Sequence, residues 1–394
     1  MAVTLLFAGL ALAAQGAPSQ SSTTDADEIV IGVNADFTLG GASAGEAILS
    51  GVQLAVQEMN DNGGLLGKRV RVDARDHAGV VLRGVDNLKK ISENRNLIGV
   101  IGGIHSNVIL SELKYVHENK IPYLIPWAAA DELIDNGYNP NFVFRLGARD
   151  EYVAEFLVSQ ALLTGRRIAF LLETTVWGRS NNKALKRALS NRGLQPVAVE
   201  WIDRADSDVS IQISSIQRTK ADAVIIALNA PEGILAVNTM VARKGQFAVL
   251  SHWGIAHKDF YLGAASALKK ISVRFFQPFS FEQIKSKQSA GKLQQLIESK
   301  FGVPVSKVNA LSGIAHGYDL TRMLALAAAQ SKSTHRVMIR SALEKLKGFE
   351  GASCPLNPPF TKKRHEAIDV RCFILAEFSK DGVVTPAQSA LKQR

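Results

Sequence analysis

The sequence predicts an α/β protein of two doubly wound lobes, because short apolar strands alternate with helical segments along most of its length. The chain has 394 residues, which is enough for two domains of ordinary size. One strand–helix series runs from residue 28 to about 136, and a second series of similar length follows it. Strands that helices separate at this spacing form βαβ units, and these units place the strands side by side in a parallel sheet.

The first series opens with the apolar run EIVIGVN, which predicts a strand, and apolar positions at helical spacing follow it. The same alternation then repeats until the chain has supplied four strands. The predicted strands are 28–34, 69–76, 97–103 and 121–126, and the predicted helices are 44–62, 79–95, 107–118 and a short one near 131–136.

The second series begins again at FVFRLG and ends with a group of helices and one late strand. The predicted strands are 142–147, 167–173, 196–202, 221–229, 247–253, 271–278 and a lone strand at 372–378. The predicted helices are 151–163, 179–192, 208–219, 231–243, 257–264, 286–300, 308–330 and 335–346. We expect two parallel sheets of similar size, with 142–150 and 271–281 as the connections between the lobes.

The first residues predict export. An apolar run from Met1 to Ala14 ends in a small-residue motif and is followed by a polar stretch, which is typical of a secretory signal peptide. The run is shorter than the roughly 20 apolar residues that span a bilayer. No cysteine stands beside it to carry a lipid. We therefore expect residues 1–28 to be a signal peptide and tail, cleaved to leave a freely diffusing periplasmic protein.

The two cysteines of the chain, Cys354 and Cys372, are close together near the C-terminus. In an exported protein such a pair predicts a disulfide bond. A zinc site that also uses His365 is the alternative, although a structural zinc ion prefers four ligands. The formal net charge of +10 is spread along the chain, and its one dense basic run, 362–365, has no aromatic residues interleaved. We expect no nucleic-acid partner and no cofactor.

One motif permits a test for catalysis. The string Gly41–Gly45 matches the G-x-S-x-G pattern of a hydrolase nucleophile elbow, with Ser43 as the nucleophile. That chemistry needs the serine on a tight turn directly after a strand, whereas a loop at 35–40 lies between the first predicted strand and Ser43. The sequence therefore does not predict an enzyme, and a hydrolase built on Ser43 stays as an alternative.

The loops that follow the predicted strands carry residues suited to binding a ligand. In doubly wound sheets a ligand lies beyond the carboxyl ends of the strands. The loop 104–107 follows one predicted strand and leads at once into a helix, with Ser106 or Asn107 as the candidate N-cap, and the free backbone N–H groups there suit a carboxylate. Three of the four tryptophans, Trp127, Trp177 and Trp253, also follow strand ends, which favours contact with a ligand.

The chain resembles the type I periplasmic solute-binding proteins, in particular the branched-chain amino-acid (Leu/Ile/Val) binding family of ABC importers. The resemblance covers nearly all of 29–394 and is most specific at 51–67, at 121–126, and at 358–361 together with Arg364 and His365. It implies two Rossmann-like lobes joined by a three-segment hinge. Lobe 1 would comprise 29–146 plus 279–350, and lobe 2 would comprise 147–278 plus 351–394. It also implies an ABC permease of the inner membrane as the partner, and we expect a monomer.

The resemblance also implies roles for individual residues. The carboxylate-binding serine falls on Ser106, and the loop with a carbonyl and a threonine hydroxyl falls on Ala128 to Ala130, where alanine replaces the threonine. The second-lobe contacts fall on Trp177 and Asn229. The position of the acidic residue that meets an α-ammonium in such proteins falls near Trp253, where this sequence has no carboxylate. The full set of expected ligand-binding residues is Ser106, Asn107, Trp127, Ala128, Ala130, Glu173, Trp177, Asn229 and Trp253.

The absence of a carboxylate near Trp253 determines which class of ligand we predict. A buried ammonium without a counter-charge costs several kcal/mol, so a carboxylate with an apolar or aromatic body is the expected ligand. Glu173 offers a substitute carboxylate, which keeps amino acids as an alternative. We expect the lobes to close on this solute for an ABC importer. A sensor that presents its closed form to a membrane histidine kinase or chemoreceptor is the alternative function.

Overall fold

The computed structural model describes residues 28–282, 287–354 and 357–387, which form two α/β lobes, each built around its own sheet. The expected signal peptide and tail, 1–28, lies outside the described residues except for Glu28. Within the described part, no helix is both long and apolar enough to cross a membrane.

The first lobe contains a sheet of five parallel strands in the order β2-β1-β3-β4-β5. Its strands are β1 (Glu28–Ala35), β2 (Arg69–Asp76), β3 (Leu97–Ile101), β4 (Tyr123–Ile125) and β5 (Val143–Arg145). Helices α1 (Ala42–Asp61), α2 (Val81–Ser92) and α3 (Ser106–Glu118) connect successive strands. Strand β3 is buried along its whole length, and so is β1 apart from Glu28, because helices cover both faces of the sheet.

The second lobe contains a sheet of seven strands in the order β12-β11-β10-β9-β8-β6-β7. Its strands are β6 (Ile168–Glu173), β7 (Ala198–Ile202), β8 (Ala223–Ala227), β9 (Ala248–Ser251), β10 (Val273–Gln277), β11 (Ile374–Phe378) and β12 (Val384–Pro386). Its helices are α4 (Asp150–Ala161), α5 (Val176–Ser190), α6 (Ser210–Arg218), α7 (Ala230–Ala242) and α8 (Lys258–Leu268). The late helices α9 (Lys287–Phe301), α10 (Leu311–Ser331) and α11 (Arg336–Leu343) pack on the first lobe.

The C-terminal strands differ from the sequence prediction. Strand β11 is not a lone strand, since it pairs antiparallel with both β10 and β12. The sheets are also unequal, and the second one is mixed. The hairpin between β11 and β12 turns at Gly382, whose φ of 76° is a left-handed conformation that suits glycine. Strand β12 has only three residues, too few for a period-2 pattern to show in the sequence.

The chain passes between the lobes three times. The first passage follows β5, and the second follows β10. The segments predicted as connections, 142–150 and 271–281, therefore begin with strands that belong to the sheets. On the third passage Glu366 lies beside β5 of the first lobe and accepts two hydrogen bonds from the fully buried guanidinium of Arg145. Residues 352–353 are likewise bonded to Asp319 of α10. We propose the lobe boundaries given in the sequence analysis with one change. The third crossing from lobe 1 to lobe 2 lies just after Ala367 rather than after residue 350.

Helices α1 and α10 approach each other closely in the first lobe. A Cβ placed on Gly51 of α1 would lie 2.0 Å from the carbonyl oxygen of Ile314, and one on Gly317 of α10 would lie 2.4 Å from the carbonyl oxygen of Ile48. Real Cβ atoms do not come this near to backbone, so glycine at both positions permits the close contact. This packing anchors α10, a helix from late in the chain, against the first strand–helix unit.

The predicted disulfide between Cys354 and Cys372 is present, with the two Cα atoms 6.1 Å apart. It closes a loop of chain around the third crossing. His365 bonds instead to the carbonyl oxygen of Val143 and lies 3.1 Å from the Glu344 carboxylate. Because both thiols are consumed in the bond and the histidine is bonded elsewhere, the alternative zinc site does not form.

Candidate functional site

A cleft lies between the two lobes, where the loops after the strands of both sheets face each other. The loops after β3 and β4 line it from the first lobe, and the loops after β6, β7, β8 and β9 line it from the second. This is the place where doubly wound sheets bind ligands, because helix N-termini and loop side chains converge beyond the carboxyl ends of the strands. We take this cleft as the candidate binding site.

Most of the residues expected from the sequence lie in the lining of this cleft. They are Ser106, Asn107, Trp127, Ala128, Glu173, Trp177, Asn229 and Trp253. The exception is Ala130, which is fully buried. Its carbonyl accepts a hydrogen bond of 2.9 Å from Arg145, and its N–H lies 3.4 Å from the Ser106 hydroxyl. Ala130 therefore holds the loop in place from behind rather than facing a ligand.

Helix α3 points its N-terminus into the cleft. It begins at Ser106, after His105 in the extended conformation of an N-cap. The first N–H groups of a helix have no partner within the helix, and the helix dipole adds a partial positive charge at this end. A carboxylate or another anion is the group that such an end binds best.

His105 is held by a carboxylate at the end of β1. Its Nε2 atom lies 3.0 Å from Oδ2 of Asp36, and both side chains are buried. Burial by itself raises the pKa of Asp36, but bonds from His105 and from the N–H groups of Leu39 and Gly41 hold that pKa well below its ordinary value. Asp36 is thus an anion that fixes the orientation of the imidazole and leaves Nδ1 directed toward the second lobe.

Arg204 enters the cleft from the opposite lobe and meets this histidine. It stands in the loop after β7, and its Nη2 lies 3.4 Å from Nδ1 of His105 and 3.9 Å from Oε1 of Glu173. Its side chain is 40% exposed, so one side of the guanidinium remains open toward solvent. Neither Arg204 nor His105 was expected at the ligand from the sequence. The arginine is one of several charged residues in a polar turn, and only the fold brings it to α3.

Glu173 ends β6 and lies at the base of the cleft on the second lobe. The Asn229 amide donates to its Oε2 at 2.8 Å, and the Thr175 hydroxyl donates to its other oxygen. Burial raises the pKa of this carboxyl, while the Arg204 charge and the Thr175 bond act in the opposite direction. Glu173 is therefore already supplied with hydrogen bonds from its own lobe.

Aromatic rings form the remaining wall. Trp127 of the first lobe stacks on Trp253 of the second, with ring centroids 4.6 Å apart and planes inclined by 16°. Trp177 donates its indole N–H to the buried carboxylate of Asp150 at 3.0 Å, which fixes the ring at the start of α5. Its ring is nearly perpendicular to that of His252, with the ring centroids 5.1 Å apart. The cleft is thus lined both by flat apolar rings and by the polar groups of His105 and Arg204.

The cleft is closed in this structure. The space inside it that can hold the centre of a water molecule is about 20 Å³, which is close to the volume that one water needs. Contacts that cross from lobe to lobe seal its margins. Among them, the Asp131 N–H lies 3.2 Å from the Ser180 hydroxyl. The lobes are therefore close together, and the cleft between them has room for about one water molecule.

Among the described residues, the hydrogen-bond partner of the Ser43 hydroxyl is a carboxylate rather than a histidine. The serine is the second residue of α1 rather than part of a strand–helix elbow, and its hydroxyl donates to Asp259 across the cleft. A hydrogen bond from His257, stronger than the opposing effect of burial, together with the bond from Ser43 lowers the pKa of Asp259 to about 2. A carboxylate with this pKa is a poor base at neutral pH, so the geometry gives no support to a hydrolase at Ser43.

The comparison with known families decides the classification. A sequence profile of the family described as periplasmic binding protein matches residues 28–383. The chain belongs to the periplasmic binding protein family. The match extends over both lobes and all three crossings, and it agrees with the family that the sequence resembles.

Individual members of this family are similar to the chain at low identity. The Leu/Ile/Val-binding protein BraC3 of Rhizobium johnstonii is 27% identical over 236 residues, which are 59% of this chain and 64% of that relative. The match thus spans slightly less than two thirds of the length of this curated relative.

Solved structures match the fold over more of the chain. A type 1 periplasmic binding protein from Bordetella pertussis superposes with a TM-score of 0.83 at 22% identity, covering 92% of this chain and all of that one. A solute-binding protein from R. palustris in complex with 4-hydroxybenzoate gives 0.79 at 16% identity, covering 92% and 96%. These periplasmic binding proteins share the two-lobed architecture described here.

Proposed function

We propose that this periplasmic binding protein is the substrate-binding component of an ABC importer and captures a small carboxylate-bearing solute by lobe closure. The observation that carries the proposal is the meeting of Arg204 with His105 at the N-terminus of α3. A guanidinium from one lobe and a helix N-terminus from the other converge on one point, and a carboxylate is complementary to both. The protein binds and releases its solute without covalent chemistry.

Closure follows from placing these groups on different lobes. A carboxylate that binds first to the start of α3 gives Arg204 an anionic partner only when the second lobe swings inward. The solute then interacts more strongly with the closed form than with the open form, and this difference shifts the equilibrium toward closure. The closed form presents a continuous surface of both lobes to a membrane permease.

The body of the solute is proposed to be apolar or aromatic. Trp127, Trp177 and Trp253 contribute three indole rings to the lining of the cleft. Offset stacking on such rings stabilises an aromatic partner by roughly 0.5–1.5 kcal/mol beyond the apolar area that it buries. The structurally similar R. palustris protein in complex with 4-hydroxybenzoate supports this class of ligand.

An amino acid is the second candidate, and Glu173 is the observation that favours it. It is the acidic side chain in the described lining of the cleft, and the relative BraC3 is named a Leu/Ile/Val-binding protein. Glu173 already accepts bonds from Asn229 and Thr175, however, and burial raises its pKa. An ammonium ligand would have to compete with these partners and with Arg204, so we place the amino acid second.

The proposed compartment is the periplasm. The disulfide between Cys354 and Cys372 fits an oxidising environment, in which such bonds persist. The expected partners are the solute and an ABC permease of the inner membrane, and the protein is proposed to act as a monomer.

Titration calorimetry with matched ligand pairs tests the function. We expect heat of binding with benzoate or 4-hydroxybenzoate and little with benzamide, which has a similar shape but no negative charge. Leucine tests the amino-acid alternative in the same series. Equal affinity for benzoate and benzamide would contradict the carboxylate class, and binding of leucine alone would establish the second candidate.

A further inference from the structure

A second and larger cavity lies next to the candidate site, and Trp127 forms part of the wall of both. Its volume is about 290 Å³, against about 20 Å³ for the candidate site. The first lobe contributes the segment 305–312, and the second contributes α8 and the strands β11 and β12. The chain that leaves β10 for the second crossing, up to Glu282, closes another side. This cavity therefore lies between the lobes as the first one does.

The wall of the second cavity is more apolar than polar, and its charged groups have opposite signs. Phe279, Val308, Leu311 and Ile374 are among the side chains that face it. Lys258 and Lys307 are balanced by Glu282 and Asp381. Apolar walls with balanced charges suit the uncharged part of a molecule rather than a second ionic group.

The sizes of the two cavities indicate how a ligand is divided between them. An engineered protein cavity of about 150 Å³ is known to bind benzene, so at the same volume per atom 290 Å³ accommodates about twelve carbon atoms. The smaller cleft has the anion-binding groups but no room for such a body in its closed form. Trp127 borders both spaces, so a ligand that spans them would have to pass along that ring.

We propose that the substrate is a carboxylate with an extended apolar body, whose head binds at α3 and Arg204 and whose body continues past Trp127 into the second cavity. This inference rests on the proposed function and makes its substrate class narrower. Since both lobes also line the second cavity, the apolar body contributes to closure together with the carboxylate.

The test compares a short and a long acid in the intact protein and in cavity-filling variants. Benzoate and biphenyl-4-carboxylate share the same head, and the second ring of the longer acid measures the contribution of the larger cavity. Leu262→Trp fills this cavity from α8, where Leu262 is 61% exposed, so the substitution leaves the core intact. Val308→Trp fills it from the other lobe. Ile211→Trp, on α6 at 81% exposure and outside both cavities, is the matched control.

We expect the unaltered protein to bind biphenyl-4-carboxylate at least about tenfold more tightly than benzoate, as burial of a second ring requires. Leu262→Trp and Val308→Trp should remove this preference while leaving benzoate affinity within about twofold, and Ile211→Trp should change neither. Equal affinity for the two acids, or a preference that survives both fillings, overturns this inference. In either case, selectivity for benzoate over benzamide would leave the proposed function standing. Absence of binding by every acid in the unaltered protein would overturn the proposed function itself.

Discussion

Trp127 and Trp253 stack across the cleft with their ring centroids 4.6 Å apart, although they belong to different lobes. Trp127 follows β4 of the first sheet, and Trp253 follows β9 of the second. Both rings are almost fully buried in the closed arrangement. The pair therefore forms only when the lobes are together, and it links closure to the aromatic wall of the binding site.

Replacing Trp253 by phenylalanine should weaken binding of an aromatic acid by roughly three- to tenfold, because part of the stacking surface is lost. Titration calorimetry with 4-hydroxybenzoate measures this effect. Trp201→Phe is the control, since Trp201 lies half-buried in β7 outside the cleft lining. Equal losses in the two variants would show that the tryptophan at 253 has no special part in binding.

Replacing Arg204 by alanine should reduce the affinity for carboxylates about tenfold or more, because a charge-assisted hydrogen bond is lost. Lysine at this position should restore part of the affinity, since it keeps the charge but not the planar fork. The exposed residue Arg218 of α6 provides a matched control as Arg218→Ala. If Arg204→Ala bound benzoate like the unaltered protein, the proposed carboxylate contact would be wrong.

Glu112 is a buried carboxyl on α3 that should make stability depend on pH. Burial raises its pKa from 4.5 to about 8, although Tyr123 and Asn34 donate hydrogen bonds to it. Between these values the folded chain binds more protons than the unfolded chain. The contribution of Glu112 is therefore complete below pH 4.5 and is lost as the pH rises through 8, at about 1.4 kcal/mol per pH unit.

Glu112→Gln removes this titration while keeping the shape of the side chain. Urea unfolding of both proteins at pH 5.5 and pH 7.5 should show a smaller decline in stability for the variant. The exposed residue Glu46 of α1 gives the control Glu46→Gln, which should follow the unaltered protein. A Glu112→Gln protein that loses as much stability between the two pH values as the unaltered chain would contradict this assignment.

The close contact of α1 and α10 should tolerate no side chain at Gly51. Gly51→Ala places a methyl group 2.0 Å from a backbone carbonyl, and we expect a loss of about 2 kcal/mol or more in the free energy of unfolding. Gly291→Ala in α9 meets nothing within 4 Å, so it should stabilise slightly through helix propensity. Thermal unfolding that ranks the two variants in the opposite order would count against this packing.

Much of the fold could be predicted from the sequence because its strands are buried between helices. Strand β2 was predicted at 69–76 and lies at Arg69–Asp76, and the helix predicted at 308–330 lies at Leu311–Ser331. Continuous apolar runs and helical periodicity are strong local signals. Strand β12 was missed because three residues carry no period, and its place in the sheet depends on pairing with β11.

The candidate site was only partly visible in the sequence. Loops after strands indicated Ser106, Trp127 and Trp253, because the topology of a doubly wound sheet places such loops together. Arg204 carried no such signal, and its relation to His105 arises only when the two sheets face each other. Ala130 was expected at the ligand, yet it is fully buried outside the cleft lining and its carbonyl accepts a hydrogen bond from Arg145.

Closure of the lobes on a carboxylate is the central claim, and a distance between the lobes measures it directly. Spin labels on cysteines introduced at Leu82 of α2 and Ile211 of α6, both highly exposed, report this distance by pulsed electron paramagnetic resonance. Adding the acid that binds best should shorten and narrow the distance distribution, and the same acid should have no such effect on an Arg204→Ala background. A distribution that stays unchanged when the acid is saturating would contradict the account.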